Sequence, residues 1–353
     1  MDDGDPRAAP DDDAPPSSGE NQGANPSPGE VPEAPRPPSL RQRTLGRSGG
    51  LVSEFTLGTW GLSGEASGPV YRLEVDRIIS RAMEAGITLY DTADFYDGGD
   101  LQEKLGHRLD AEHRICTRIG TFPRDRPPRK HFAPRRLAEA LDVCHERQNR
   151  SCLDVVLLHN PSVTALEGDA PDFMRERVDA GEVGVWGVSC GDADVAEKAI
   201  EVGASVVMLA FNVLHQSDFR RVAEAVEATE TGVMARSVLA HGLLTGHWSR
   251  NKIFFDYDHR QQRWTRETLK YRLGQLDACR HLVDDTATTL RAVALRFVLH
   301  HHLVSTAVLG PRSLTQLNQL LLEAGHGPPY LNGEGLEALP ARLAAVGAMS
   351  TAS

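Results

Sequence analysis

The chain has 353 residues, 40% hydrophobic and 25% charged, with a formal net charge of −11. That is apolar material enough for one large domain, while the lack of a basic surplus excludes nucleic acid as an expected main partner. No apolar run is long enough to cross a bilayer, and five cysteines without paired spacing, behind an acidic N-terminus that lacks a signal-like apolar core, suit a cytoplasmic protein with free thiols.

Residues 1–42 read as a disordered, acidic, proline-rich tail. Ten of the 21 prolines precede Ser39, and residues 1–40 hold −7 of the −11, leaving −4 for the rest. Such a segment buries too little apolar area to offset its ordering entropy. A solvating linker is the expected role, with a partner-binding tail as the alternative.

From Phe55 onward, short β-branched runs alternate with amphipathic stretches. Strands are expected at 55–59, 87–91, 114–119, 154–159, 184–189, 205–210, 232–237 and 305–309. They are apolar almost throughout, as parallel strands covered on both faces should be. Helices are expected at 72–84, 101–109, 134–147, 171–180, 193–202, 218–229, 287–300 and 314–324. The first places Leu73, Val75, Ile78, Ile79 and Met83 on one stripe, and Gly86, Gly181 and Gly203 stand where left-handed caps are wanted. The count predicts an α/β (β/α)8 TIM barrel over 43–330, with a doubly wound sheet as the alternative. A hairpin around 50–55 would close the barrel floor. The connection 241–285 is too long for an ordinary loop and is expected to cover a ligand. Residues 331–353 form a C-terminal extension, read as a short helix with a frayed end.

Chemistry in such barrels gathers at the C-terminal strand ends. Three adjacent strands there bring together Asp91, Tyr96, Arg118 and His159. Alone, each suits packing or a satisfied rim residue. Together they form a proton-transfer set: a phenol with pKa near ~10 acts as an acid at neutral pH only when a cation stabilises its phenolate. His159 can orient a carbonyl and Asp91 can orient the cation. His300, His301 and His302 are consecutive and point apart on a helix, so no metal is expected.

These segments resemble a family. DTADFYDGGDLQEKLG (residues 91–106), VVLLHNP (155–161), GVS (187–189), FNVL (211–214), SVLAHGLLTG (237–246) and the stretch from Ala294 to Ser313 are similar to the aldo-keto reductases. The resemblance runs from about Arg43 to Gly325. It implies Tyr96 as general acid, His159 as substrate-orienting partner, Asp91 as support, and a nicotinamide cofactor bound by the barrel. Gly58, Thr59, Trp60 and Asp91 would contact the cofactor, and Ser189, Cys190, Met208 and Arg236 would line its nicotinamide end. Ser237, Leu239 and the Gly242–Gly246 loop would cover the pyrophosphate. Gly310, Arg312, Ser313, Gln316 and Gln319 would lie at the adenosine end, where Arg312 favours NADP(H), with NAD(H) as the alternative. Asp258-His259-Arg260 resembles a cofactor-covering loop, and a solvated loop is the other reading.

The departures bear on activity. Arg118 replaces the family's catalytic lysine; its planar fork suits Asp91 and could draw the cation from Tyr96. Cys190 and Met208 replace an asparagine and a glutamine that meet the carboxamide, Arg236 replaces a stacking aromatic, and Gln319-Leu320 replaces Glu-Asn. Two function classes are therefore carried forward. One is an NADP(H)-dependent oxidoreductase acting on a small-molecule carbonyl or alcohol. The other is a catalytically diverged relative, acting as a cofactor-binding regulator in the manner of potassium-channel β-subunits, or as a non-redox lyase or isomerase. Monomer and homo-oligomer both stay open.

Overall fold

The computed structural model describes residues 40–47, 49–122, 129–324, 327–328 and 330–347. The expected disorder of the tail falls on residues almost all outside that range, as does the end at 348–353.

Eight parallel strands close into a barrel: β1 (Phe55–Gly58), β2 (Leu89–Ala93), β3 (Arg114–Ile119), β4 (Leu153–His159), β5 (Val183–Ser189), β6 (Val206–Ala210), β7 (Gly232–Arg236) and β8 (Val304–Leu309), with β8 pairing back onto β1. Closure excludes the doubly wound alternative. The helices around it include α1 (Arg72–Glu84), α2 (Asp100–Arg108), α3 (Pro134–Gln148), α4 (Ala170–Asp179), α5 (Ala193–Glu201), α6 (Ser217–Thr229), α7 (Arg266–Ala278), α8 (Leu290–His300), α9 (Leu314–Glu323) and α10 (Gly333–Ala345). Gly86, Gly181 and Gly203 all adopt left-handed backbone after their helices.

In α1 the buried stripe is Val75, Ile78, Ile79 and Ala82, whereas Leu73 is 61% exposed. Leu73 precedes Val75 by two residues, about 200° around a helix of 3.6 residues per turn, so it cannot share that face. Strand β7 ends at Arg236, one residue earlier than expected, because Ser237 turns to φ 58°.

The barrel interior is filled from alternate strand positions: Leu89, Cys116, Val155, Leu157, Val185, Val206, Met208 and Met234, with Leu45 and Val52 below them. The floor is closed by an antiparallel pair, Gln42–Thr44 with Leu51–Ser53. Arg43 ties this pair to the carbonyls of Leu299 and Val304 and to the Tyr330 hydroxyl, which donates to buried Glu54 at 2.6 Å. A second apolar cluster joins α7 and α8 to the C-terminal extension through Leu269, Leu273, Leu276, Leu331 and Leu339. Residues 333–345 are thus a helix with a packed face.

Candidate active site

The inward parity that places Leu89, Cys116 and Leu157 in the core carries Asp91, Arg118 and His159, two residues further along each strand, to the mouth. On the neighbouring strands His159 pairs with Ser189 and Ser189 with Met208, while Arg236 pairs with Ala210, two residues further along than Met208.

Arg118 donates through Nη2 to Asp91 Oδ2 at 2.8 Å, with side chains only 9% and 3% exposed. The other carboxylate oxygen and Arg118 Nε have no partner among the described residues. Burial pushes Asp91 up to about 6 against the pull of Arg118. The guanidinium also lies 5.1 Å from the centroid of the Tyr96 ring. Tyr96 is buried, and burial drives its hydroxyl up to about 12, with Arg118 opposing the rise and Asp91 adding to it. Arg118 is therefore shared between the two: it donates to the Asp91 carboxylate, and its charge and hydrogen bonding also favour the Tyr96 phenolate.

Tyr96 is held by a turn rather than a strand. Phe95 packs edge-on against it at 5.0 Å, and Arg147 of α3 donates to the carbonyls of Asp94 and Gly98. Gly99 in this turn has φ 105°, and a Cβ there would fall 2.1 Å from the Arg147 guanidinium carbon. Only glycine lets the clamp close. Phe95 also stacks on His159, 5.7 Å away at 13°. Burial, with Arg118, Lys130 and Arg236 nearby, pushes His159 down to about 2, so its ring is neutral.

Asp94 adds a half-buried acid beside this set. Burial raises its carboxyl from 3.8 to about 7 despite Arg147 and Lys130, and its Oδ1 has no partner among the described residues. The native state then holds a proton that the unfolded chain releases, so stability falls as pH rises through that window. Asp94→Asn is expected to stabilise by about 1–3 kcal/mol at alkaline pH, with the gain shrinking as pH falls below the folded value. Urea unfolding at pH 8 and pH 5, values that lie on either side of about 7, checks this; an equal gain at both would sink it.

The other expected contacts divide into two groups. Thr59 is buried, with its hydroxyl donating to the Asp91 carbonyl at 3.0 Å. Met208 packs in the barrel interior, and Ser189 Oγ lies 3.4 Å from Asn160 Oδ1. The Cys190 thiol is buried and pushed up to about 12, which keeps it protonated and unreactive. Arg236 donates to the Cys190 carbonyl at 2.8 Å.

At the outer end, Ser237, Ala240, His241 and Gly242 all have positive φ, forming a tight turn. Leu239 begins the short helical segment Ala240–Thr245. A Cβ on Gly242 would meet Trp248 at 3.2 Å and Arg260 at 3.6 Å. Gly310 leads into Arg312, whose guanidinium donates to the carbonyls of Gly61 and Gly68. Ser313 caps α9 by accepting from Gln316, and the Gln316 side chain accepts from the Arg312 amide. Gln319 accepts instead from Arg291 of α8.

The loop at 258–260 is folded onto the mouth. His259 packs 4.5 Å from Trp60 and bonds the Ala66 carbonyl and His241. Burial opposes ionisation of Asp258, but the Arg260 guanidinium brings its carboxyl down to about 2. A solvated loop does not describe it. Thr121 and Lys130, both within hydrogen-bonding reach of His159, had no sequence signal beyond proximity to a strand end.

Comparison with known proteins agrees with this architecture. The family model for the aldo/keto reductase family matches residues 54–324. A Schizosaccharomyces pombe protein assigned as a voltage-gated potassium channel subunit beta is 22% identical over 302 residues, covering 80% of this chain and 87% of that protein. A 6-dehydroglucose reductase of Novosphingobium aromaticivorans is 31% identical over 169 residues, 44% of this chain and 53% of the other. Among solved structures, the Gluconobacter oxydans glycerol dehydrogenase AKR11B4 superposes with a TM-score of 0.75 at 21% identity, covering 86% of this chain and 95% of that one. The holo form of the Bacillus halodurans aldo-keto reductase AKR11C1 gives 0.71 at 19% identity, covering 86% and 96%. With its barrel, its rim residues and a family match across most of its length, the chain belongs to the aldo/keto reductase family.

Proposed function

We propose that this protein is an NADP(H)-dependent oxidoreductase that reduces a small carbonyl compound or oxidises the corresponding alcohol. The observation that carries the reading is the juxtaposition of Tyr96 with the Asp91–Arg118 pair at 2.8 Å, beside a neutral His159. When bound, the reduced nicotinamide supplies the hydride. Tyr96 then gives its proton to the carbonyl oxygen, and the Arg118 charge stabilises the phenolate that remains. A neutral His159 can donate one hydrogen bond to the same oxygen without competing for the proton.

The donor set at the outer end fits a dinucleotide. Arg312, which also donates to the Gly61 and Gly68 carbonyls, and Arg260, which also pairs with Asp258, bring guanidinium charge to this end, Ser313 opens a ten-residue helix, and the 237–242 turn is too tight for a side chain at Gly242. Ser189, Asn160 and Arg236 are the polar groups at the inner end, where Cys190 and Met208 offer only sulfur. This balance supports binding through the phosphates more than through the carboxamide. The relatives named as glycerol dehydrogenase and 6-dehydroglucose reductase favour a polar, hydroxylated substrate.

A second reading, a cofactor-binding protein with little turnover, draws on one observation. Arg118 hydrogen-bonds Asp91, and Tyr96 stays at about 12. NADPH titration followed by fluorescence, then turnover with 4-nitrobenzaldehyde and with polyol-derived aldehydes, separates the two. Binding with turnover is expected. Binding without turnover on any carbonyl favours the second reading, and no binding overturns both.

A further inference from the structure

Beyond the strand-end set lies a pair of side chains that converges on His159. After β3 the chain makes a short antiparallel pair, Thr121–Phe122 with Arg129–Lys130, in which Thr121 is opposite Lys130. Lys130 Nζ lies 2.6 Å from Thr121 Oγ1 and 2.8 Å from the His159 carbonyl oxygen. Thr121 Oγ1 lies 3.1 Å from His159 Nδ1.

The directions of these bonds follow from the groups. An ammonium can only donate, so Thr121 Oγ1 accepts from Lys130. The hydroxyl proton is then free for its other neighbour, Nδ1, and the cation polarises the hydroxyl into a stronger donor. A neutral imidazole that accepts at Nδ1 carries its proton on Nε2. Phe95, stacked at 13° to the ring, fixes the plane in which that N–H points.

We infer that Lys130 is a positioning residue which, through Thr121, holds His159 as the Nε2–H tautomer and so makes it a hydrogen-bond donor toward the substrate oxygen. The role in turnover rests on the oxidoreductase reading; the tautomer does not. The cation on β3 is an arginine bonded to Asp91, and a lysine acts from the histidine side. Lys130 also lines an open cleft of about 630 Å³ with Phe132, Asn160, Ser162 and Asp169.

The charged and titratable groups facing Lys130 are Arg118, Asp94 and His159, with His131 and Asp169 around the cleft. Burial, and then Arg118, lower its ammonium to about 8, with Asp94 opposing. The polarising charge is therefore present below that pH and lost above it.

Nitrogen-15 NMR of ring-labelled histidine, with His159 assigned by its loss in His159→Gln, reads the tautomer without any turnover. Wild type and Thr121→Ser are expected to show Nε2–H at His159, and Thr121→Val to lose that preference. Lys130→Met should lower kcat on the order of tenfold with little change in KM. Lys130→Arg should restore kcat and remove the alkaline fall near pH 8, because arginine does not titrate there. An Nδ1–H signal in wild type, or a Thr121→Val spectrum like wild type, overturns the relay. A lysine variant with unchanged pH profile overturns the part played by Lys130. If no carbonyl is turned over at all, the spectra still decide the tautomer, so the two failures are distinguishable.

Discussion

Tyr96→Phe is expected to lower carbonyl reduction by at least ~100-fold while leaving NADPH affinity within about twofold, because general acid catalysis contributes roughly 10²–10⁴. The phenol is buried on a turn clamped by Arg147, so removing one oxygen should not move the backbone. Arg118→Lys is expected to act in the opposite direction. The guanidinium lies 5.1 Å from the Tyr96 ring centroid, donates to Asp91 and also pulls the phenol down, yet burial leaves Tyr96 at about 12. A compact ammonium can serve both groups, lowering the phenol and raising kcat by about tenfold or more. Steady-state rates of both variants on a common aldehyde check the pair. A Tyr96→Phe variant as active as wild type would remove the tyrosine from the mechanism, and an inert lysine variant across a carbonyl panel would remove the argument about the shared cation.

Asp91→Ala should cost about 3–5 kcal/mol, since it strands a buried guanidinium without its partner. Replacing both members, Asp91→Leu with Arg118→Met, is expected to recover most of that stability, because two apolar side chains carry no desolvation penalty. Activity should stay lost in the double variant, as the phenolate then has no cation. Chemical denaturation of Asp91→Leu, Arg118→Met and the double variant gives the cycle. A double variant as unstable as Asp91→Ala would mean that the ion pair supplies something other than mutual neutralisation.

The barrel was legible from local patterns. Eight apolar runs alternating with helical stripes are a property of each segment by itself, and glycine marks helix ends because few other residues take positive φ. The strand-end residues were legible for the same reason, since the period of two that sends Leu89 inward sends Asp91 to the mouth. Leu73 shows where this reading fails: an apolar residue counts toward a stripe in sequence even when its angle puts it in solvent.

Hydrogen-bond partners were not legible, because they depend on which segments closure brings together. Arg147 reaches Asp94 and Gly98 from α3, beyond α2 and β3, and Arg312 reaches Gly61 and Gly68 from the far side of the chain. Lys130 meets His159 across a strand boundary and an intervening helix. The sequence by itself determined the fold, the identity of the rim residues and the replacement of a lysine by Arg118. Only the tertiary structure decided that Arg118 is bonded to Asp91, that the 258–260 loop lies on Trp60, and that a second cation reaches the histidine. The physical reason is distance: contacts of about 3 Å between residues far apart in sequence are set by barrel closure, and no local period encodes them.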